Sequence, residues 1–185
     1  MKYNEKTFSG DIERLRRPKR MAVLEVPRVL DICLAGTSAA TVLDVGCGSG
    51  IFTEAFVSRG LFCASVDFNS EMLRATRGFV PGARVAAATA EYLPFANKSF
   101  DLVFIAHVLH EVDDPAITLK EALRVCKKRI SVLEWQYLEE EIGPPLGHRL
   151  KPEDVGSAAL KAGLKGVKPI ILKTLVLYLI EVNSR

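Results

Sequence analysis

The stretch VLDVGCGSG, residues 42–50, joins a short apolar run to a cluster of glycines. The run is β-branched, so it predicts a strand at Thr41–Val45, and the glycines predict a tight turn. The next residues, Ile51–Arg59, carry apolar side chains at helical spacing and stop at Gly60. The stretch therefore predicts a strand, a glycine-rich turn and a helix, which is the repeating unit of a parallel α/β sheet.

Outward from this unit, strands and helices alternate along the chain. Further strands are predicted at Phe62–Asp67, Ala83–Ala88, Leu102–Ala106 and Ile130–Glu134. Helices are predicted from near Pro27 to Leu34, at Ser70–Gly78 with Ser70 near the N-cap, at Pro115–Cys126 and at Lys151–Ala162. Continuous apolar strands that alternate with helices indicate a doubly wound, mostly parallel sheet covered on both faces.

The end of the chain departs from this alternation. Two strands, Val167–Lys173 and Leu175–Val182, are predicted in direct succession. A parallel crossover needs a dozen or more residues, so these strands are expected to pair as an antiparallel β-hairpin.

Length and composition bound the class of protein. The chain has 185 residues, of which 49% are hydrophobic and 25% charged, so one globular domain over residues 1–185 is expected and disorder is excluded. The sequence has no uncharged stretch of about 18 residues, so no membrane-spanning helix is expected. Met1–Gly10 lacks the apolar segment of a secretory signal. The four cysteines form no CxxC pair, which favours reduced thiols and a cytoplasmic setting.

Positive charge is concentrated at the start of the chain. Residues 1–20 hold seven Lys/Arg and three Asp/Glu, while the net charge of the whole chain is +3. The basic cluster consists of Arg14, Arg16, Arg17, Lys19 and Arg20. Such a cluster either binds an anionic partner or forms a solvated helix face, and the lack of interleaved aromatic residues favours the second. We therefore expect a basic N-terminal arm over residues 1–20 and no nucleic-acid partner. The alternative is that this arm acts as a lid over the site.

The spacing of the glycines limits the ligand. It follows GxGxG, whereas a dinucleotide site requires a third glycine at the position of Ile51, and no P-loop Lys-Ser/Thr follows. Asp44 places a carboxylate near the turn, where it would repel a pyrophosphate and suit a sulfonium or ammonium group. Asp67, at the end of the second strand, can accept hydrogen bonds from two ribose hydroxyls, or it can face the dipole of the next helix. A ribose and a positive charge without phosphates describe S-adenosyl-L-methionine.

At these motifs the chain resembles class I S-adenosylmethionine-dependent methyltransferases, within the small-molecule, ubiquinone/menaquinone-type ("type 11") subgroup. LDVGCGSG resembles the first motif of the family, VDFNSEML (66–73) its acidic motif on strand two, and AEYLPFANKSFDLVFIAHVLHEVDDP (90–115) its stretch through strand four. The resemblance covers about Met21–Val125, and the C-terminal hairpin also matches the family. It implies a Rossmann-like sheet of the seven-strand type.

The resemblance also implies which residues bind the donor. They are Asp44, Gly46, Cys47, Gly48, Gly50, Asp67, Phe68, Thr89, Ala90, Ala106 and His107. Phe68 is expected against the adenine. Thr89 stands where the family often has an acidic residue, but its hydroxyl can still accept from the adenine amino group, and the Ala90 N–H can serve the ring nitrogen.

Histidines supply the candidates for catalysis. His107 and His110 follow the fourth strand, and His148 lies in the loop after the fifth, so all three are expected at the carboxyl edge of the sheet. His110 and His148 are the candidate general bases, and His107 is expected to line the cofactor site. The alternatives are packing at a strand end and a metal site built from His107 and His110 with either His148 or Glu111. We expect no metal, because the ligand set is loose.

The segment after the fifth strand is predicted to bind the acceptor. Trp135 and Tyr137, at the end of the fifth strand, can form an apolar wall. The segment Glu139–Arg149 is predicted to be a loop over the pocket, and Arg149 in it can hold an anionic group. The alternative is that Trp135 belongs to the core and Arg149 caps the helix that begins near Pro152. The chain lacks the Asn/Asp-Pro-Pro-aromatic and Pro-Cys motifs of DNA-methylating enzymes, so a small-molecule acceptor is expected.

The predicted reaction is methyl transfer by direct in-line displacement, which releases S-adenosyl-L-homocysteine. An adenosylmethionine-binding regulatory module without turnover is the alternative. An NAD-linked oxidoreductase is a third hypothesis, which Ile51 disfavours. The oligomeric state is not predicted.

Overall fold

In the computed structural model, which describes residues 12–182, seven strands form one sheet. They are β1 (Thr41–Val45), β2 (Phe62–Asp67), β3 (Arg84–Ala87), β4 (Phe100–Ala106), β5 (Cys126–Trp135), β6 (Lys168–Ile171) and β7 (Leu175–Glu181). Their spatial order is β3-β2-β1-β4-β5-β7-β6. Strands β1 to β5 pair in parallel, while β7 is antiparallel to both β5 and β6. The predicted doubly wound sheet with a C-terminal antiparallel hairpin is confirmed.

Seven helices complete the described part of the chain. They are α1 (Ile12–Leu15), α2 (Pro18–Leu24), α3 (Val26–Leu34), α4 (Ile51–Ser58), α5 (Ser70–Phe79), α6 (Pro115–Val125) and α7 (Pro152–Lys161). The helix expected from near Pro27 to Leu34 is α3. A separate helix, α2, precedes it and was not predicted, and Glu25 between the two adopts a left-handed conformation with φ 44°. The N-cap of α5 is Asn69, directly before Ser70, and the Asn69 side chain accepts a hydrogen bond from the Glu71 N–H at 2.8 Å.

Alternation along the strands divides the core into two layers. On β1, Val42 faces one layer together with Phe52 and Phe56 of α4, whereas Leu43 faces the other. The first layer also receives α3, and the second receives α6 and α7. Full burial of one Val, Leu or Phe side chain contributes about 1.5–3 kcal/mol to the free energy of folding. Two apolar faces on one sheet explain why the central strands are apolar throughout.

One buried arginine joins the sheet to the helix that precedes it. Arg129 on β5 donates through Nη1 to the carbonyl oxygens of Cys33 and Ala35, each at 2.8 Å, and pairs with Glu181 at 2.6 Å. These carbonyls lie at the end of α3, where helical carbonyls lack partners within the helix. Arg129 therefore fixes the end of α3 against β5.

The cysteines are buried and carry no disulfide. All four are free thiols. Within residues 12–182, no helix combines the length and apolar character that a membrane span requires.

Candidate functional site

The glycine loop after β1 is held in a conformation that only glycine adopts easily. Gly46, Gly48 and Gly50 have φ values of 69°, 54° and 78°. The Gly46 N–H donates to the Val66 carbonyl at 2.8 Å, which ties the loop to the end of β2. A Cβ on Gly46 would collide with the Val108 side chain. The turn therefore depends on both the φ value and the close approach of the segment after β4.

Asp67 connects the end of β2 to the glycine loop. One carboxylate oxygen accepts from the Gly48 N–H at 2.9 Å and the other from the Asn69 N–H at 2.9 Å. Burial raises the pKa of Asp67, and these backbone N–H groups partly oppose the rise. Each carboxylate oxygen has a second lone pair, so Asp67 can still accept from two hydroxyl donors. The residue thus serves the start of α5 and remains able to bind a ribose.

Asp44 is on β1, and its carboxylate contacts α4. It is 1% exposed and accepts from the Thr53 hydroxyl at 2.7 Å, and that hydroxyl is 2.8 Å from the Ser65 hydroxyl. Burial raises the pKa of Asp44 to about 7, with the Thr53 hydrogen bond opposing and the Asp67 charge adding to the rise. The carboxylate is therefore already engaged inside the fold, and its contact with a cofactor stays a prediction.

The other residues predicted for the adenine side follow β2 and β3. Phe68 is 41% exposed, Ala90 is buried, and Thr89 forms an isolated bridge with Tyr92. Parallel neighbours end at the same edge of a sheet, so these positions lie along the edge that carries the glycine loop. Cys47 is buried within the loop, and burial raises the pKa of its thiol, which keeps it protonated.

A histidine–carboxylate pair joins the segment after β4 to β5. His110 Nδ1 lies 2.7 Å from Glu134 Oε2, and the side chains are 6% and 2% exposed. Burial lowers the pKa of His110, but the Glu134 carboxylate outweighs it, with help from Glu111, so the pKa is raised. With Nδ1 held, Nε2 is the ring nitrogen left for proton transfer, 3.9 Å from a Glu111 oxygen.

Sequence reasoning did not include Glu134 among the site residues. The available signal was a single acidic residue at the carboxyl end of the predicted strand Ile130–Glu134. A buried carboxylate there requires a partner, and the partner is His110, 24 residues away in the sequence.

His107 directly follows β4 and is half-buried, with both ring nitrogens buried. It has φ 58°, and neither ring nitrogen has a hydrogen-bond partner among residues 12–182. Its ring centroid lies 5.1 Å from that of Trp135. Burial lowers its pKa well below the usual value, and the charges of Arg20 and His110 lower it further.

The loop after β5 packs on Trp135, which is 3% exposed. A Cβ on Gly143 would lie 2.8 Å from the indole. Arg149 is buried, and its guanidinium donates to the carbonyls of Gln136, Leu138, Ile142 and Pro144. Four of its five N–H donors are therefore committed to the loop, which leaves little capacity for an anionic ligand.

The remaining predicted residues lie around this loop. Tyr137 is 36% exposed, with the Lys151 ammonium 5.4 Å from its ring. His148 is half-buried in a 3-10 turn, Leu146–His148, and makes no hydrogen bond with His110. Within the described range, no three His, Cys, Asp or Glu side chains are grouped as metal ligands.

Two arginines of the basic cluster point inward, while Arg14, Arg17 and Lys19 are exposed. Arg16 donates to the Ser49 carbonyl at 2.9 Å and pairs with Glu54 at 2.8 Å, so it lies on the glycine loop. Arg20 lies 4.9 Å from the Trp135 ring centroid. The sequence expectation of a solvated helix face therefore fits three of the five residues. Nothing in the sequence distinguishes the other two. Residues 1–11 of the arm lie outside the described residues.

The chain is similar in sequence to known methyltransferases over the part that carries this edge. Residues 43–131 match a family model described as "Methyltransferase domain". The chain is 35% identical over 103 residues to a demethylmenaquinone methyltransferase of Renibacterium salmoninarum, covering 56% of this chain and 44% of that protein. It is 31% identical over 130 residues to an uncharacterized methyltransferase of Bacillus subtilis, covering 68% and 51%. The chain thus spans about half the length of these relatives.

A solved structure extends the likeness over almost the whole fold. A SAM-dependent methyltransferase from Aquifex aeolicus superposes with a TM-score of 0.81 at 23% identity, covering 93% of this chain and 97% of that one. At this identity the comparison establishes the fold alone.

Proposed function

We propose that this chain is a class I S-adenosylmethionine-dependent methyltransferase and transfers a methyl group from S-adenosyl-L-methionine to a small-molecule acceptor. The observation that carries the proposal is the hydrogen bond between Asp67 and the Gly48 N–H, 2.9 Å long. The Asp67 carboxylate lies directly against a glycine loop that a ligand can approach closely, which supports a ribose site at this residue.

The donor would lie along the carboxyl edge of the sheet. In this proposal the loop Gly46–Gly50 receives its amino-acid part, Asp67 receives the ribose hydroxyls, and Phe68 lies against the adenine. Thr89 and Ala90 serve the adenine edge, and Ala106 and His107 form the wall toward β4. Asp44 and Cys47 support the loop from within.

The sulfonium supplies an activated methyl group. The acceptor nucleophile attacks the methyl carbon in line with the sulfur, the C–S bond breaks with its electron pair going to sulfur, and S-adenosyl-L-homocysteine leaves. His110 Nε2 takes the proton of the nucleophile, while Glu134 holds the opposite ring nitrogen. Alignment of the two reactants is worth about 7–11 kcal/mol in favourable cases. His148 is the second candidate base, and the His110–Glu134 pair favours turnover over a binding module.

We further propose one domain over residues 1–185, in a cytoplasmic setting, with residues 1–20 closing over the donor as a lid. The contact of Arg16 with Ser49 supports the lid, and four free buried thiols are consistent with a reducing compartment. Trp135 and Tyr137 would line the acceptor side.

Calorimetric titration of S-adenosyl-L-homocysteine into the full chain tests the donor site. Saturable binding is expected, with a loss in Asp67→Ala of about tenfold or more, since charge-assisted hydrogen bonds contribute about 1.5–3 kcal/mol. Asp31→Ala is the matched control, because its side chain is exposed and pairs only with Arg59. Absence of binding to the unaltered chain at millimolar ligand would overturn the proposal.

A further inference from the structure

Arg20 differs from the other inward-facing arginines of the described chain. Arg16, Arg124, Arg129 and Arg149 each donate to carbonyl or carboxylate oxygens. Arg20 is half-buried and contacts the Trp135 ring, but no residue between 12 and 182 accepts a hydrogen bond from it. It is therefore the arginine whose donors the described chain leaves open.

A guanidinium in this position favours an anion. Burial, with a smaller effect of Arg14, lowers the pKa of Arg20 to about 10, so the group remains charged near pH 7. The N–H donors of Arg20 are not engaged by the described chain, and the planar fork of arginine matches a carboxylate or phosphate group with two parallel bonds. The buried carboxylate of Glu134, next to Trp135 on β5, is already engaged by His110.

The position of Trp135 assigns Arg20 to the acceptor side of the site. Trp135 ends β5, whereas Asp67 ends β2, and β1 and β4 lie between them. Three strand spacings of about 4.8 Å separate β2 from β5 by roughly 14 Å. The indole also contacts the His107 ring, whose nitrogens lack partners within the described residues. A donor held at Asp67 and the glycine loop would occupy the β2, β1 and β4 side of this edge.

We propose that Arg20 binds an anionic group of the methyl acceptor, which makes the substrate a small carboxylate or phosphate compound. The anionic group of the acceptor would lie on Arg20, with the nucleophile toward His110. Arg149, for which an anion-binding role was predicted, holds the loop instead. The inference rests on the proposed methyl transfer, since it identifies the acceptor of that reaction.

Calorimetry on the full chain saturated with S-adenosyl-L-homocysteine tests the assignment. The probes are benzoate and inorganic phosphate, with benzamide as the neutral match for benzoate. At least one anion is expected to bind the unaltered chain, and benzamide is expected to bind at least tenfold more weakly than benzoate. Arg20→Gln is expected to weaken anion binding about tenfold or more, and Arg20→Lys less, because lysine retains the charge without the fork.

Arg17→Gln, at an exposed position of the same cluster, is the matched control and is expected to retain anion binding. Failure of both anions to bind, or equal binding to Arg20→Gln and the unaltered chain, would overturn the assignment. Donor binding is measured separately in each variant. If Arg20→Gln weakens S-adenosyl-L-homocysteine but not 5′-methylthioadenosine, which lacks the amino-acid carboxylate, Arg20 holds the donor and the acceptor assignment is wrong. If the unaltered chain does not bind S-adenosyl-L-homocysteine, the methyltransferase proposal itself is rejected.

Discussion

His110 and Glu134 form a buried pair, with Nδ1 of the histidine 2.7 Å from a carboxylate oxygen of the glutamate. The pair bridges the segment after β4 and the end of β5, two neighbouring parallel strands. The carboxylate fixes the orientation of the ring and stabilises its protonated form. The same contact therefore bears on proton transfer and on the stability of the fold.

The titration of His110 should reflect this partner. Because Glu134 outweighs burial, the pKa of His110 is expected above the usual value of about 6.5. In Glu134→Gln the stabilising charge is lost while burial remains, so the pKa should fall below that of the unaltered chain. NMR titration of the ring, assigned with His110→Asn, measures both values. An unchanged pKa in Glu134→Gln would contradict the pairing.

The pair should also make stability depend on pH. A pKa that is higher in the folded than in the unfolded chain adds stability that is fully present below the unfolded value of about 6.5. This contribution is lost as the pH rises through the raised folded value. Glu134→Gln should therefore reduce the free energy of unfolding more at pH 5.5 than at pH 9, as measured by urea denaturation. An equal loss at both pH values would show that the charge interaction contributes nothing.

Substitution of Gly46 should disturb the glycine loop. Gly46→Ala places a Cβ against Val108 at a positive φ, which costs about 1–2 kcal/mol from the backbone alone. Lower stability and weaker S-adenosyl-L-homocysteine binding are expected. Gly147→Ala, where a Cβ meets no atom within 4 Å, is the control. Adding Val108→Ala should recover part of the stability, since it removes the collision but not the strained φ.

Arg129 should contribute to stability through the end of α3. Arg129→Met keeps the aliphatic length but removes the donors to Cys33 and Ala35, with an expected loss of about 1–3 kcal/mol in the free energy of unfolding. Arg28→Met, at an exposed residue paired with Glu25, should change stability by less than about 1 kcal/mol. Equal effects of the two substitutions in urea denaturation would show that the helix-end contacts are not stabilising.

The contact between Arg16 and the glycine loop should govern access of the donor. Arg16→Ala removes the hydrogen bonds to the Ser49 carbonyl and the ion pair with Glu54. If the arm closes over the donor, S-adenosyl-L-homocysteine should associate and dissociate faster in this variant, by roughly tenfold for a net loss of about 1.4 kcal/mol. Stopped-flow measurements compare it with Arg17→Ala. Unchanged rates in Arg16→Ala would argue against a lid.

The fold could be predicted from sequence because its determinants are local. Alternating strands and helices, a glycine-rich turn and a hairpin too short for a crossover each depend on neighbouring residues. Strand β5 was predicted to begin at Ile130 but begins at Cys126, because Lys127 and Lys128 interrupt the apolar pattern while the backbone continues directly from α6. Contacts between distant segments had no such local signal.

In the candidate site, too, residues with a local sequence signal could be predicted, whereas contacts between distant segments could not. Asp67 follows from its spacing to the glycine loop, whereas the pairing of Glu134 with His110 depends on the register between β4 and β5. Arg149 and Arg20 are equivalent as charged residues in the sequence. The structure separates them, because the first is surrounded by carbonyls of its own loop and the second faces an aromatic ring.

Trp135 is the sole tryptophan of the chain, and it lies where Arg20, His107 and Gly143 converge. Indole emission responds to nearby charge and to water, so the protein carries an intrinsic optical reporter at this edge. Docking of the arm, entry of an acceptor and protonation of the neighbouring histidines can each be followed from that signal without a label. A screen of candidate acceptors can thus begin with the unmodified protein and a fluorimeter.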